Sequence, residues 1–130
     1  SSIRPRLRDT LVDLIENHAV DMFYVGQQGA FDRIVRSVLK EFVVEYPHIR
    51  YAVLLERSPP KRDEFDTHDY SDTMLPEGIK TVHPHFAIPW RNNWAHKQSD
   101  YVVTYITHSW GGAYQYAEKA RHQKKVVINL

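Results

Sequence analysis

The stretch YVVTYITHSWGGAYQYAEKARHQ, residues 101–123, sets the expected fold of this chain. Its first part, Tyr101–Thr107, is strongly apolar and predicts a buried strand, and Ala113–Gln123 predicts a helix. The pair Gly111 and Gly112 lies between them. α/β proteins use a strand, a glycine turn and a helix N-terminus in this order to present backbone N–H groups to an anion. By itself, a glycine pair after a strand is often only a tight turn.

The rest of the chain repeats this alternation of helix and strand. Helical spacing of apolar residues predicts helices over residues 4–18 and 31–43, and a helix of about ten residues ending near Ser99. β-prone runs predict strands over residues 20–25, 51–55 and 125–130. The order indicates an α/β fold, a Rossmann-like three-layer sandwich with a mainly parallel sheet. We expect residues 1–130 to form a single domain of this kind.

The segment from Glu56 to Pro84 breaks the pattern. It is polar and rich in turn-forming residues, and within it only residues 79–82 could form a brief strand. A loop of this length inside a compact domain is usually functional or mobile. After it, Trp90 and Trp94 lie one helical turn apart, which predicts core or lid packing, with base stacking as the alternative.

Composition narrows the classes of function. The absence of cysteine excludes disulfides, iron–sulfur clusters and thiol catalysis. A net charge of +1 gives no overall field for nucleic acid or an anionic membrane, and no apolar run has the length of a membrane span. His83 and His85, with Asp66, His68 and Asp69 nearby, match no zinc-ligand spacing. We therefore expect a cytoplasmic protein with no metal or other cofactor, no nucleic-acid partner and no membrane partner.

A second glycine loop follows the strand predicted at residues 20–25. It contains Gly26, Gln27 and Gly29, and the next helix has Asp32 in its first turn. In an open parallel sheet, ligands bind beyond the carboxyl ends of the strands, so both glycine loops are expected at one edge. Two such turns suit a phosphate or pyrophosphate, although both could be simple β-to-α turns. Asp32 could cap its helix or contact the ligand.

Four segments of the chain resemble the SLOG superfamily, and within it a small branch classed as a domain of unknown function. They are residues 26–32, 70–72, 91–100 and 111–118, and the similarity extends over nearly the whole chain. The resemblance implies a Rossmann-like domain that binds nucleotides or nucleotide-derived molecules related to ADP-ribose. Such a small molecule is the expected partner.

Two motifs are also similar to those of one SLOG branch, the LOG-type phosphoribohydrolases. Arg91 precedes Ser99 of a Ser–Asp pair by eight residues, and Gly111 precedes Glu118 by seven. In that branch the arginine and the glutamate cleave the bond between base and ribose. The resemblance therefore implies that Arg91 holds the ligand and that Glu118 stabilises an oxocarbenium-like centre or activates water.

Three positions differ from the hydrolase motifs. Trp110 replaces a proline, and Tyr114 and Gln115 replace a glycine and a threonine whose hydroxyl would hold phosphate. Ser109 or Thr107 could supply a hydroxyl instead. These differences favour binding over hydrolysis, so the expected function is a sensor or sequestering module. The alternatives are a nucleoside monophosphate phosphoribohydrolase and a structural or partner-binding protein with a vestigial pocket.

The start of the sequence also differs from the superfamily. SLOG domains usually open with a strand and a glycine-containing loop, whereas this sequence opens within the first predicted helix. The resemblance thus implies that the first family strand, which would be central in the sheet, is absent from this sequence. The alternative is a sheet that closes through another chain, so a homo-oligomer remains open.

Overall fold

Helices and parallel strands alternate along the chain in the computed structural model, which describes residues 3–27, 29–58 and 70–130. The helices are α1 (Ile3–Asn17), α2 (Ala30–Glu45), α3 (Ala87–Gln98) and α4 (Gly112–His122). The strands are β1 (Met22–Val25), β2 (Arg50–Leu54), β3 (Thr73–Met74), β4 (Tyr101–Thr104) and β5 (Val126–Asn129). Two short 3-10 helices, Ile79–Thr81 and Pro84–Phe86, precede α3. The predicted α/β fold is confirmed.

The strands form two sheets, and every strand pair in them is parallel. One sheet has the order β1-β2-β3, with Val25 opposite Val53, and the other pairs β4 with β5, with Thr104 opposite Asn129. Within the described ranges no strand pairs with the second edge of β1 or of β4. The parallel arrangement is compatible with a Rossmann-like sandwich, and it directs the carboxyl ends of β1 and β2 toward the same side.

Helix α1 packs against both sheets. Near its start, the Arg6 guanidinium lies 6.0 Å from the centre of the Tyr105 ring, just beyond β4. Beyond its end, the His18 ring lies 5.7 Å from the ring of Tyr101, at the start of β4. The helix therefore runs antiparallel to β4. Its apolar stripe is buried, and it consists of Ile3, Leu7, Leu11, Leu14 and Ile15. Each fully buried leucine of this kind contributes about 1.5–3 kcal/mol.

The helices form two layers around the strands. Phe23 packs into the core with α1 and α2, while the ring of the next residue, Tyr24, meets Trp94 of α3 at 5.2 Å. Successive side chains of a strand point to opposite faces, so α3 lies on the other side of the sheet from α1 and α2. A contact between His96 of α3 and Tyr116 of α4 joins these two helices in the same layer. The result is a three-layer arrangement.

Asp72 fixes the chain where it enters β3. Its carboxylate accepts hydrogen bonds from the Arg36 Nε and from the Tyr51 hydroxyl, both at 2.8 Å. Burial alone would raise the pKa of Asp72, but the hydrogen bonds from Arg36 and Tyr51 outweigh it and lower the pKa below its usual value. This network ties β3 to α2 and β2 across the sheet.

The structure corrects several predicted elements. Residues 79–82 do not form a strand: Ile79–Thr81 is a 3-10 helix, and its Thr81 hydroxyl donates to the carbonyl of Gly78 at 2.6 Å. The short strand β3 was not predicted. Strand β4 ends at Thr104, before the predicted end at residue 107, because the Asn129 side chain takes over the pairing. It accepts from the Ile106 N–H at 2.7 Å and donates to the Ile106 carbonyl at 3.0 Å.

Membrane-spanning helices and clusters of metal-binding side chains are both absent from the part of the chain that the structure describes. In residues 3–27, 29–58 and 70–130, no helix combines the length and apolar character that crossing a bilayer requires. The same ranges contain no group of three or more metal-binding side chains placed to hold an ion. Asp66, His68 and Asp69, considered above with His83 and His85, lie outside the described residues.

Candidate functional site

At Gly26, the first glycine loop packs against a carboxylate of the chain itself, whereas a Cβ added to Gly29 would meet no atom within 4 Å. A Cβ added to Gly26 would lie 2.9 Å from Oδ2 of Asp32, so no other residue fits at this position without a shift. Asp32 lies in the first turn of α2, where the partial positive charge of the helix N-terminus stabilises it. The anion at this end of α2 is therefore the Asp32 side chain.

Arg91 of α3 joins this loop to the end of β2. Although charged, it is only 4% exposed. Its Nη1 donates to Oε2 of Glu56 at 3.1 Å, and its Nη2 lies 3.9 Å from where a Cβ on Gly26 would be. Gln27 Nε2 donates to the same Glu56 oxygen at 3.3 Å. The guanidinium and the carboxylate thus hold α3, β2 and the loop after β1 together.

Tyr116 of α4 completes the group. Burial raises its pKa to about 12, the charge of Asp32 adds to the increase, and the charge of Arg91 opposes it. The phenol is therefore neutral at physiological pH and can both donate and accept a hydrogen bond. We call these residues the Arg91 cluster: Gly26, Gln27, Asp32, Glu56, Arg91 and Tyr116.

The ion pair in the Arg91 cluster is costly to disrupt. The Arg91 side chain is 5% exposed and the Glu56 side chain 17% exposed, so both groups have lost most of their water. Removing one partner from such a buried pair costs about 3–5 kcal/mol, because the remaining charge is left uncompensated. Replacing the whole pair with well-packed apolar residues is often neutral or stabilising. The presence of this ion pair is therefore weak evidence that it serves stability, and a role in function is the alternative explanation.

The second glycine loop is open. A Cβ added to Gly112 would meet no atom within 4 Å, and one added to Gly111 would meet only the His108 ring, at 3.6 Å. Gly111 instead needs to be glycine because its φ is 94°, in the left-handed region that other residues disfavour. Gly111 and Gly29, with a φ of 136°, are the N-caps of α4 and α2, and neither helix start is capped by a side chain of its N-cap residue.

Ser109 and Thr107 lie away from the Arg91 cluster. They line a cavity of about 300 Å³ with Tyr114 and Arg121 of α4, and this cavity includes no residue of the cluster. In the same loop the His108 ring stacks on Trp110, with centres 3.9 Å apart and planes at 14°. The hydroxyls that could replace the missing threonine therefore line a different surface from the one that holds Arg91.

Glu118 and Arg91 belong to separate ion pairs. The Glu118 carboxylate pairs with Arg121 on the same helix, and both side chains are more than a third exposed. Arg91 pairs with Glu56, just beyond the end of β2. Among the described contacts nothing joins the two residues that a hydrolase would need together. Their catalytic role stays a prediction.

Two members of the Arg91 cluster were not predicted as site residues. Glu56 directly follows the strand predicted at residues 51–55, just as Gly26 follows the strand before it. The rule that ligands bind beyond the carboxyl ends of parallel strands could therefore have identified it. Tyr116 lies in the predicted helix over residues 113–123, and its sequence neighbours carry no signal that separates it from Tyr114.

A buried histidine lies next to the cluster. His96 is 1% exposed, its ring centre is 3.9 Å from that of Tyr116, and neither ring nitrogen has a hydrogen-bond partner in the described residues. Burial lowers its pKa, and the charges of Lys119 and Lys125 lower it further. His96 is therefore a neutral packing group at physiological pH.

Comparisons with known proteins identify no relative of this chain. No protein-family model, curated protein or solved structure matches the chain significantly.

Proposed function

We propose that this domain binds a nucleotide or an ADP-ribose-like molecule at the carboxyl edge of its parallel strands, as a sensor or sequestering module. The Arg91 cluster is the observation that supports this most. It places a buried arginine, two carboxylates and a neutral tyrosine at the ends of β1 and β2, beside a glycine loop. Buried charges gathered at this edge of an α/β sheet are typical of a ligand site.

The chemistry of the cluster fits the uncharged hydrogen-bonding groups of such a ligand better than its phosphate. Asp32 already occupies the N-terminus of α2 with negative charge, which disfavours a phosphate there. Its carboxylate and that of Glu56 are suitable acceptors for the hydroxyl and amino groups of such a ligand. The open second loop, with Gly112 at the first position of α4, is the better place for phosphate.

A binding screen tests the proposal. Isothermal titration with AMP, ADP-ribose and cyclic ADP-ribose should give saturable binding of at least one, and mass spectrometry of the recovered ligand should show it unchanged. Release of free base would instead support the phosphoribohydrolase alternative. Absence of binding by the folded protein would contradict both and leave the structural alternative.

Substitutions at Gly112 test the phosphate position without straining the backbone. Gly112→Ala and Gly112→Val add side chains of increasing size in open space, so the fold should persist. We expect the valine variant to weaken binding at least about tenfold, since its side chain blocks close approach to the N–H groups of α4. Gly111→Val is a poorer test, because at a φ of 94° it would disturb the loop itself. Normal binding by Gly112→Val would refute the phosphate position.

A further inference from the structure

A second cavity lies beside the Arg91 cluster. It has a volume of about 390 Å³ and is formed between the end of β2, the 3-10 helices and the first turn of α3. Ile79, Val82, Ala87 and Ile88 give it apolar walls. We call it the Glu56 cavity, because Glu56 lines it as well as belonging to the cluster. Its walls and size suit a flat aromatic group.

Glu56 brings unused hydrogen-bonding capacity to this cavity. Its Oε2 accepts from both Arg91 and Gln27, whereas Oε1 accepts no hydrogen bond from any residue that the structure describes. The side chain is mostly buried, and the bond to Arg91 restricts its orientation. A carboxylate oxygen accepts a hydrogen bond and cannot donate one. It therefore favours a ligand with an N–H group over one with an acceptor at the same position.

The charges around the cavity agree with an anionic ligand. Arg57 and Lys80 also line it, and both residues are exposed to solvent. Together with Glu56 they combine one fixed acceptor deep in the site with two mobile positive charges at its rim. A ligand that matches has an aromatic ring with an amino group at one end and a negative charge at the other.

We propose that the Glu56 cavity binds the base of the nucleotide-type ligand, and that an exocyclic amino group of the base donates to Oε1 of Glu56. This inference rests on the proposed function, since it names the part of that site which recognises the base. The apolar walls stack against the ring, and the carboxylate selects bases with an amino group. Because the amino group and the ribose are at opposite ends of adenine, the ribose then lies away from Glu56, toward Arg57 and Lys80 at the rim of the cavity.

Three ligands separate the contributions of base, amino group and sugar phosphate. AMP carries all three, purine riboside 5′-monophosphate lacks only the amino group, and ribose 5-phosphate lacks the base. Titration calorimetry should show AMP binding at least about tenfold tighter than the des-amino analogue, the effect of losing one hydrogen bond to a charged acceptor. AMP should also bind more tightly than ribose 5-phosphate.

A matched pair of substitutions tests the location. Val82→Trp places a large ring in the cavity, whereas Val44→Trp adds the same ring at a position on α2 that is 78% exposed. We expect Val82→Trp to reduce AMP binding to the level of ribose 5-phosphate, and Val44→Trp to bind AMP as the unsubstituted protein does. Thermal unfolding should confirm that both variants are folded.

The outcomes distinguish this inference from the function on which it rests. Equal binding of AMP and its des-amino analogue would overturn the contact with Glu56. Unchanged AMP binding by Val82→Trp would overturn the location of the base. If ribose 5-phosphate bound as tightly as AMP, the base site would be wrong while the binding function stood. If none of the three ligands bound while ADP-ribose did, the inferred base site would be wrong and the binding function would stand. If ADP-ribose and cyclic ADP-ribose failed to bind as well, the proposed function itself would fail.

Discussion

The two glycine loops look alike in sequence and differ in structure. Each lies between a strand and a helix, yet Gly26 is packed beneath the Asp32 carboxylate while Gly112 has open space where a side chain would be. The first loop has its own internal anion, held near Arg91, and the second leaves the start of α4 accessible. A glycine motif thus marks a loop where another group has room to approach the backbone. The surrounding side chains decide whether that group is a ligand or a side chain of the protein itself.

The largest predicted effect comes from removing Arg91, the cation next to the first glycine loop. In Arg91→Met, Glu56 stays mostly buried without its partner, so the free energy of unfolding should fall by about 3–5 kcal/mol. Arg121→Met is the matched control, because its pair with Glu118 is exposed and should contribute only about 0–1 kcal/mol. Urea unfolding measures both changes. Similar losses for the two variants would show that the Arg91 pair is not buried as described.

A smaller loss of stability is expected at Gly26, the glycine packed against Asp32. The Cβ of Gly26→Ala would lie 2.9 Å from Oδ2 of Asp32, and overpacking of this kind costs about 1–3 kcal/mol. Gly112→Ala should be close to neutral, since its Cβ meets no atom.

A double-mutant cycle identifies the cause of the loss at Gly26. If Asp32 is the obstacle, Gly26→Ala should cost less in an Asp32→Ala background than in the unsubstituted protein. Strictly additive losses would mean that another group resists the alanine.

Periodicity along the sequence predicted the alternation of helices and strands because apolar faces are local signals. The rule for parallel sheets placed the loop of Gly26 and Gln27 at the carboxyl edge, with Asp32 in the helix after it, and the family resemblance added Arg91. The structure brings these four residues together. The helical spacing around α1, α2 and α4 was sufficient because each helix buries one continuous stripe. The parallel direction of the strands followed from the helices between them.

The remaining features depend on contacts between distant segments. Strand β3 has two residues and exists only through pairing with β2 and the Asp72 network, so no local pattern marks it. The separate pairing of Glu118 and Arg91 depends on how α4 packs on α3, and the interval between motifs does not specify that. Tyr116 enters the site because α4 packs on α3 through His96. None of these contacts has a signature within one segment.

His96 gives the region beside the Arg91 cluster a pH dependence. Its pKa in the folded protein is lower than the value of about 6.5 in the unfolded chain, so below pH 6.5 the unfolded state binds more protons. The free energy of unfolding should therefore fall as the pH drops below 6.5, and this contribution should level off once folded His96 is itself protonated.

Two histidine substitutions isolate this effect. His96→Phe should flatten the pH dependence without loss of stability at neutral pH, because the ring nitrogens have no described hydrogen bonds to lose. His122→Phe makes the same exchange at an exposed position on α4 and is the matched control. Urea unfolding between pH 5 and 8 measures both. A His96→Phe variant that kept the full pH dependence would assign it to another group.

The smallest expected effect concerns Glu118, and it bears most directly on the choice between binding and hydrolysis. Because Glu118 forms an exposed pair with Arg121 and makes no described contact with the Arg91 cluster, Glu118→Ala should change the free energy of unfolding by less than about 1 kcal/mol. For the same reason, AMP affinity should stay within about twofold of the unsubstituted protein, well under 1 kcal/mol of binding energy. Mass spectrometry should show intact AMP with either protein. Release of adenine that disappears in Glu118→Ala would mean that the carboxylate reaches the ribose after all, and that it acts on the bound nucleotide despite its pairing with Arg121.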